Sequence, residues 1–306
     1  MFHGVMTALV TPFKIGEDGR SCIDKDAYCA HLDRQIEAGV DGLIPAGTTG
    51  EAATLSFDEH KSLIELTVQH VAGRVPVIAG TGSNNTAESI ALTQAAKDLG
   101  ADAALLISPY YNKPMQEGIY QHYKAVADAV YLPQILYNVP GRTNSNLLPE
   151  TVARLSKCNN IVGIKDATAD LSQFTCTMMA CRDGFEFYSG DDATVLPFMA
   201  LGGHGVISVV SNIAPKTMKA LTASMEVGDL VMARKAHFAL QHLSDAMFVE
   251  SNPIPVKAAC ELMGWMGGDL RLPLTSLHDD DVRILRDTMT SFTAQWEDLE
   301  LPDSNG

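Results

Sequence analysis

Ile161-Val162-Gly163-Ile164-Lys165-Asp166 is a short apolar run that ends on a lysine. Gln134-Ile135-Leu136-Tyr137 is a similar run, and residues 149–155 between the two carry a helical pattern. Strand, helix and strand in that order form a βα unit of a parallel sheet, whose strands are near-continuously apolar because both faces are covered. The unit repeats on either side. Further strands are expected at 5–10, 42–46, 76–79, 103–107, 185–188 and 205–209. Further helices are expected at 24–38, 57–71, 86–99, 117–129, 171–181 and 194–201, several of them closed by glycine. Eight such units in about 220 residues is the count of a closed parallel (β/α)8 barrel, which it favours over a doubly wound open sheet. From Pro215 onward the patterns are only helical, beginning at 215–224 and 229–248. The expected division is a catalytic barrel over residues 1–225 and a helical region over 226–306, an appendage with no low-complexity linker before it.

Composition narrows the function. The 306 residues carry 22 basic and 37 acidic side chains, a net charge of −15. Apolar residues make up 46%, too many for a disordered chain. The acidic balance argues against a nucleic-acid partner, which needs a basic face. No apolar run approaches the roughly 18 residues of a membrane span. The N-terminal Met1-Phe2-His3-Gly4 stretch lacks the basic region of a signal peptide. Cys22, Cys29, Cys158, Cys176, Cys181 and Cys260 are scattered and form no CxxC pair, so neither zinc nor a disulfide framework is expected. They read mostly as buried thiols in a reducing cytoplasm.

A barrel keeps its chemistry at the C-terminal ends of its strands. Those ends carry Thr11, Gly47-Thr48-Thr49-Gly50-Glu51, Gly80-Thr81-Gly82, Ser108-Pro109-Tyr110-Tyr111, Tyr137-Asn138-Val139-Pro140, Lys165-Asp166, Ser189-Gly190 and Ser211-Asn212. Alternation puts Lys165 on the face of Gly163 and Ile161. If that face looks into the barrel, desolvation lowers the lysine pKa and frees a neutral amine that can form a Schiff base with a carbonyl. A lone strand-end lysine more often reaches solvent or pairs with a neighbour such as Asp166, so the surrounding residues carry the argument. Tyr137 can move protons beside an imine, or cap the barrel as an amphipathic aromatic. Thr48 and Thr49 offer hydroxyls and N–H groups to a carboxylate, or serve ordinary turn chemistry. Arg142, in a Pro140-Gly141-Arg142-Thr143 loop, can hold a carboxylate through two parallel bonds, although loop arginines are commonly solvated. A chain at −15 repels small anions, so an anionic substrate needs the local cations that Lys165 and Arg142 supply. Gly80-Thr81-Gly82-Ser83-Asn84-Asn85 imitates a dinucleotide loop but lacks the third glycine, and Asp102 precedes its strand instead of ending it. Walker, HExxH and nucleophile-elbow motifs are missing from the sequence, and no metal site is expected.

Four motifs in order carry a resemblance: Gly47-Thr48-Thr49-Gly50-Glu51, Tyr137-Asn138-Val139-Pro140-Gly141-Arg142-Thr143, Gly163-Ile164-Lys165-Asp166-Ala167-Thr168 and Asn252-Pro253-Ile254-Pro255-Val256-Lys257. With them the chain resembles the dihydrodipicolinate synthase (4-hydroxy-tetrahydrodipicolinate synthase) family from Phe2 to beyond Arg271. The resemblance implies a (β/α)8 barrel with C-terminal helices, a lyase that is usually a homotetramer of two tight dimers. It implies condensation of pyruvate with aspartate semialdehyde in lysine and diaminopimelate biosynthesis, with no organic cofactor. By match, Lys165 is the Schiff-base lysine, and Tyr137, Thr49 and Tyr111 form the proton relay, Tyr111 reaching across the tight-dimer interface. Thr48 and Thr49 match the pyruvate carboxylate site and Arg142 the semialdehyde carboxylate site. Gly190 and the backbone carbonyl of Ile207 match pocket positions. In members inhibited by lysine, the ligand site matches Ala52, Ala53, His60, Asn84, Glu88 and Tyr110. Asn85-x-x-Glu88 reads equally as a helix capping box, and Phe57 stands where a histidine is frequent. N-acetylneuraminate lyase and 2-keto-3-deoxy sugar-acid aldolases share the barrel and the lysine. A barrel that only binds small acids is a further alternative. The Thr48-Thr49 pair, the Tyr110-Tyr111 pair and Arg142 favour the synthase.

Overall fold

Apolar runs buried along nearly their whole length build the centre of the structure, a computed structural model that describes residues 1–17 and 19–296. In chain order the elements are β1 (Gly4–Ala8), β2 (Phe13–Ile15), β3 (Ser21–Ile23), α1 (Lys25–Glu37), β4 (Gly42–Ile44), α2 (Phe57–Val71), β5 (Ile78–Gly80), α3 (Thr86–Asp98), β6 (Ala103–Ile107) and α4 (Gln116–Ala129). They continue with β7 (Gln134–Asn138), α5 (Pro140–Thr143), α6 (Pro149–Leu155), β8 (Ile161–Asp166), α7 (Leu171–Ala180), β9 (Glu186–Ser189), α8 (Val195–Ala200), β10 (Gly205–Ser208), α9 (Pro215–Glu226), α10 (Leu230–Ala246), α11 (Ile254–Leu262) and α12 (Asp279–Trp296). Eight parallel strands pair in the order β4-β1-β10-β9-β8-β7-β6-β5. A bridge between Leu43 and Val77, with Gly80 N donating to the Pro45 carbonyl at 3.0 Å, joins the two outer strands. The result is a (β/α)8 barrel.

Local signals start the helices. The Asp24 side chain accepts from Ala27 N at the head of α1, and Ser56 with Glu59 forms a full capping box on α2. Two apolar layers hold the barrel. Inside it, Phe2, Met6, Ile44, Ile78, Ile135, Tyr188 and Ile207 pack together. Outside it, Leu106, Leu136, Ile161 and Ile164 meet helix residues such as Tyr123, Val152 and Phe174. A third cluster joins Val5, Leu9 and Leu43 of the barrel to Leu240, Leu243, Val256 and Cys260 of α10 and α11. The C-terminal helices therefore share a core with the barrel. No helix among the described residues is long and apolar enough to cross a membrane.

Several details depart from the sequence reading. Simple alternation put Ile161 on the face of Lys165, but Ile161 packs in the outer layer. The register between β7 and β8 shifts, Gln134 pairing with Ile161 and Ile135 with Gly163, and the irregularity turns Ile161 outward while Gly163 and Lys165 keep their partners. The Pro140–Thr143 stretch is a turn of helix with proline at its start, not a loop. An antiparallel hairpin of β2 and β3 precedes α1, too short to leave a periodic signal. The cysteines are all free, but only Cys260 is buried and Cys176 is exposed. Cys176 sits on α7, whose buried face is Phe174 and Thr177.

One buried ion pair fastens the C-terminal region to the barrel mouth. Lys257 on α11 is fully buried and donates to Glu51 Oε1 at 2.6 Å and to the Asp269 carbonyl. Its Nζ lies 4.3 Å from the centre of the Phe13 ring. Glu51 Oε2 accepts from Arg271 N at 3.2 Å, and Arg271 grips Glu59 with both terminal nitrogens. Lys257→Ala leaves Glu51 buried without its partner and should cost about 3–5 kcal/mol in chemical denaturation. Glu51→Gln with Lys257→Met should lose less than Lys257→Ala, because no buried charge is stranded.

Candidate active site

Strand pairing brings the central groups together. β7 sets Tyr137 beside Lys165, and β9 sets Tyr188 on the other side of it. Lys165 is only 5% exposed, and its Nζ lies 4.3 Å from the centre of the Tyr137 ring. Burial pulls its pKa down to about 8. The Asp192 charge pushes it back up, and the Arg142 charge lowers it further. Gly190 makes room for the amine's stem. A Cβ there would lie 2.8 Å from Lys165 Cε and 2.7 Å from Ala167 Cβ.

Asp192 is a residue that the sequence reading missed. It is buried, and its Oδ2 accepts from the backbone N–H groups of Val209 and Val210, each at 3.0 Å. The available signal was an acid two residues past Gly190 in Ser189-Gly190-Asp191-Asp192.

The remaining groups surround the lysine. Burial raises the pKa of the Tyr137 phenol, opposed by the Arg142 charge and by the neighbouring Thr48 side chain. Thr49 Oγ1 accepts from Asn252 Nδ2 at 3.0 Å, and Arg142 Nη2 donates to the Asn252 carbonyl at 2.9 Å. Lys165, Tyr137, Thr48, Thr49, Arg142, Gly190 and Asn252 line one cavity of about 540 Å³. A buried amine, a phenol and a guanidinium around such a space suit a small acid that carries a carbonyl group.

The same cavity also touches Ala52, Ala53, Phe57, His60, Glu88 and Tyr110. His60 is buried, with Nε2 at 2.7 Å from the Gly80 carbonyl, and burial lowers its pKa. The capping box over Asn85 and Glu88 does not form. Asn85 N donates instead to Ser83 Oγ at 3.1 Å, and that hydroxyl donates to Glu88 Oε2 at 2.8 Å. Asn84 does not line the cavity; its Nδ2 donates to the Tyr110 carbonyl at 3.1 Å. Ile207 lies buried in β10 opposite Met6 and does not line it either. Tyr111 stays outside as well, 90% exposed with a φ of 71°.

Fold and site define a class, a (β/α)8 barrel with a buried, readily neutralised lysine at the end of a strand. The chain belongs to the dihydrodipicolinate synthetase family, whose model matches residues 1–291, and the family is enzymatic. It is 53% identical to the 4-hydroxy-tetrahydrodipicolinate synthase of Geobacter sp. (strain M21) over 292 residues, 95% of this chain and 99% of that one. It superposes with a TM-score of 0.92 on the dihydrodipicolinate synthase from Acinetobacter baumannii complexed with pyruvate, at 46% identity, covering 95% of this chain and 99% of that chain. It superposes with a TM-score of 0.91 on the enzyme from Cyanidioschyzon merolae with lysine bound, at 42% identity, covering 95% and 98%.

The lysine environment sets a pH profile. Only the neutral amine attacks a carbonyl, so the rate at which borohydride traps pyruvate on the protein should fall about tenfold per unit below pH 8. Asp192→Asn removes the charge that holds the pKa up, and the midpoint should move to lower pH. A midpoint near 10.5, the ordinary lysine value, contradicts this description.

Proposed function

We propose that this chain condenses pyruvate with L-aspartate 4-semialdehyde through an imine on Lys165, the reaction of 4-hydroxy-tetrahydrodipicolinate synthesis. The observation that carries this reading is the buried Lys165 amine, close to Tyr137 and sharing one cavity with Thr48, Thr49 and Arg142, in a chain half identical to relatives of that name. The pyruvate complex of the Acinetobacter relative supports the first substrate.

In the proposed sequence, Lys165 adds to the keto carbon of pyruvate and water leaves, giving an imine. The imine loses a methyl proton and becomes an enamine. The enamine carbon attacks the aldehyde, and the amine of the second substrate displaces Lys165 as the ring closes. The lysine acts as an electron sink that divides one hard step into easier ones. Thr48 and Thr49 hold the pyruvate carboxylate, and Arg142 holds that of the semialdehyde. Tyr137 and Thr49 relay protons. Gly190 belongs to the pocket, and Ile207 supports the strand behind it without lining it. Tyr111 completes the relay of a neighbouring subunit, which accounts for an aromatic side chain left exposed on a left-handed backbone. The assembly is a homotetramer of two tight dimers, working in the cytoplasm.

Lysine acts as feedback inhibitor in the part of the cavity near Ala52, Ala53, His60, Glu88 and Tyr110, with Asn84 holding the Tyr110 backbone. Two observations support this. Glu88 is not engaged in capping its own helix, and the Cyanidioschyzon relative carries bound lysine.

Three outcomes follow. Pyruvate with borohydride should add one reduced group per chain, mapped by mass spectrometry to Lys165, and Lys165→Ala should abolish both the adduct and nearly all turnover. Arg142→Ala should keep the adduct but lower consumption of the semialdehyde, assayed through a downstream reductase, by about a hundredfold or more. L-Lysine should inhibit at sub-millimolar to millimolar levels, roughly the affinity of a small polar ligand, and Glu88→Thr should relieve it. Indifference to about 10 mM lysine, far above that range, contradicts the regulatory site.

A further inference from the structure

Asn252 belongs to a motif for which the reaction described above has no use. It is buried in the segment before α11, at the edge of the cavity. Its side chain and its backbone reach two different groups. Nδ2 donates to Thr49 Oγ1 at 3.0 Å, across 203 residues of sequence. Its carbonyl accepts from Arg142 Nη2 at 2.9 Å, across 110 residues. Its Oδ1 is buried and has no partner among the described residues, so the amide is held at its Thr49 end alone.

The contact with Thr49 has a directional consequence. A hydroxyl has one proton and can accept through its lone pairs. With Asn252 Nδ2 donating into Thr49 Oγ1, the hydroxyl's own proton is left for another acceptor. Thr49 lines the cavity, so the acceptor it can serve is a carboxylate or an imine-bound acid within that space. Arg142, which also lines the cavity, is held by the same residue's carbonyl.

We propose that Asn252 is a positioning residue that orients Thr49 as a hydrogen-bond donor and ties it to Arg142, so that the two carboxylate-holding groups of the cavity behave as one unit. The inference rests on the reading of Thr49 and Arg142 given under the proposed function. It makes the segment before α11 part of the substrate-recognition apparatus, reaching in from outside the eight strands.

The test is a double-substitution cycle read by pyruvate trapping and by steady-state kinetics. Asn252→Ala should raise the pyruvate concentration for half-maximal borohydride labelling of Lys165 about tenfold, the effect of one lost orienting hydrogen bond. Labelling at saturating pyruvate should stay within about twofold of the unsubstituted protein, because the amine itself is untouched. The KM for the semialdehyde should rise less in the same variant, because alanine keeps the backbone carbonyl that accepts from Arg142. On a Thr49→Val background, Asn252→Ala should change the half-maximal pyruvate concentration little further, since the partner of the bond is already gone. If Asn252→Ala does not fold, Asn252→Asp carries the same test. It keeps the shape and loses the N–H, and its added negative charge beside Thr49 should weaken pyruvate capture beyond tenfold. An unchanged half-maximal concentration in Asn252→Ala, or an effect that adds in full to Thr49→Val, overturns the role of Asn252 while leaving the parent reading standing. Absence of label on the unsubstituted protein overturns both.

Discussion

An amine removed from water must either be paired with an acid or give up its proton, and the described residues include one lysine treated each way. Lys257 is fully buried and keeps Glu51 at 2.6 Å, so it holds a structural joint together. Lys165 is also buried, but it is set against the Tyr137 ring and the backbone of Gly190, with Asp192 acting on it as a charge. The first arrangement fastens the C-terminal helices to the barrel mouth. The second leaves an amine poised near neutrality. Much else at the mouth serves this difference: the side-chain-free Gly190, the register that aligns Tyr137 with Lys165, and the two N–H groups that fix Asp192.

The barrel was legible because each of its strands is a nearly uninterrupted apolar run that ends in polar residues, a pattern that needs no knowledge of partners. Lys165 was legible for the same reason, as a charge at the end of such a run. What the pattern concealed was non-local. The shift opposite Gln134 and Ile135 depends on how two strands pair, so alternation within β8 alone misplaced Ile161. Asp192 acts on Lys165 from the next strand's loop, and Asn252 meets Thr49 from the far end of the chain. The capping box at Asn85 was a fair local reading. It failed because Ser83 supplied a better-placed hydroxyl and took both groups for itself. The cysteine expectation failed on the outer helices, where an apolar side chain can face solvent at little cost.

The C-terminal region changes meaning once its contacts are traced. In sequence it is a helical extension after a complete set of eight units. In the structure its residues share a core with β1 and β4, its Lys257 pairs with the buried Glu51, and its preceding segment touches Thr49 and Arg142. The ends of β4, β7, β8 and β9 supply the polar groups that surround Lys165, while the residues that hold several of them in place come from outside the strands. Such division is common where a rigid scaffold carries chemistry on loops, since loops gain precision only from what packs behind them.

The central claim is that burial makes Lys165 the nucleophile of a carboxylate-lined pocket. A crystal structure of the protein soaked with pyruvate tests it most directly. The account predicts continuous density from Lys165 Nζ to the keto carbon, with the carboxylate held by Thr48 and Thr49. Pyruvate bound without a covalent link while Lys165 points away, or joined to another lysine, would contradict it.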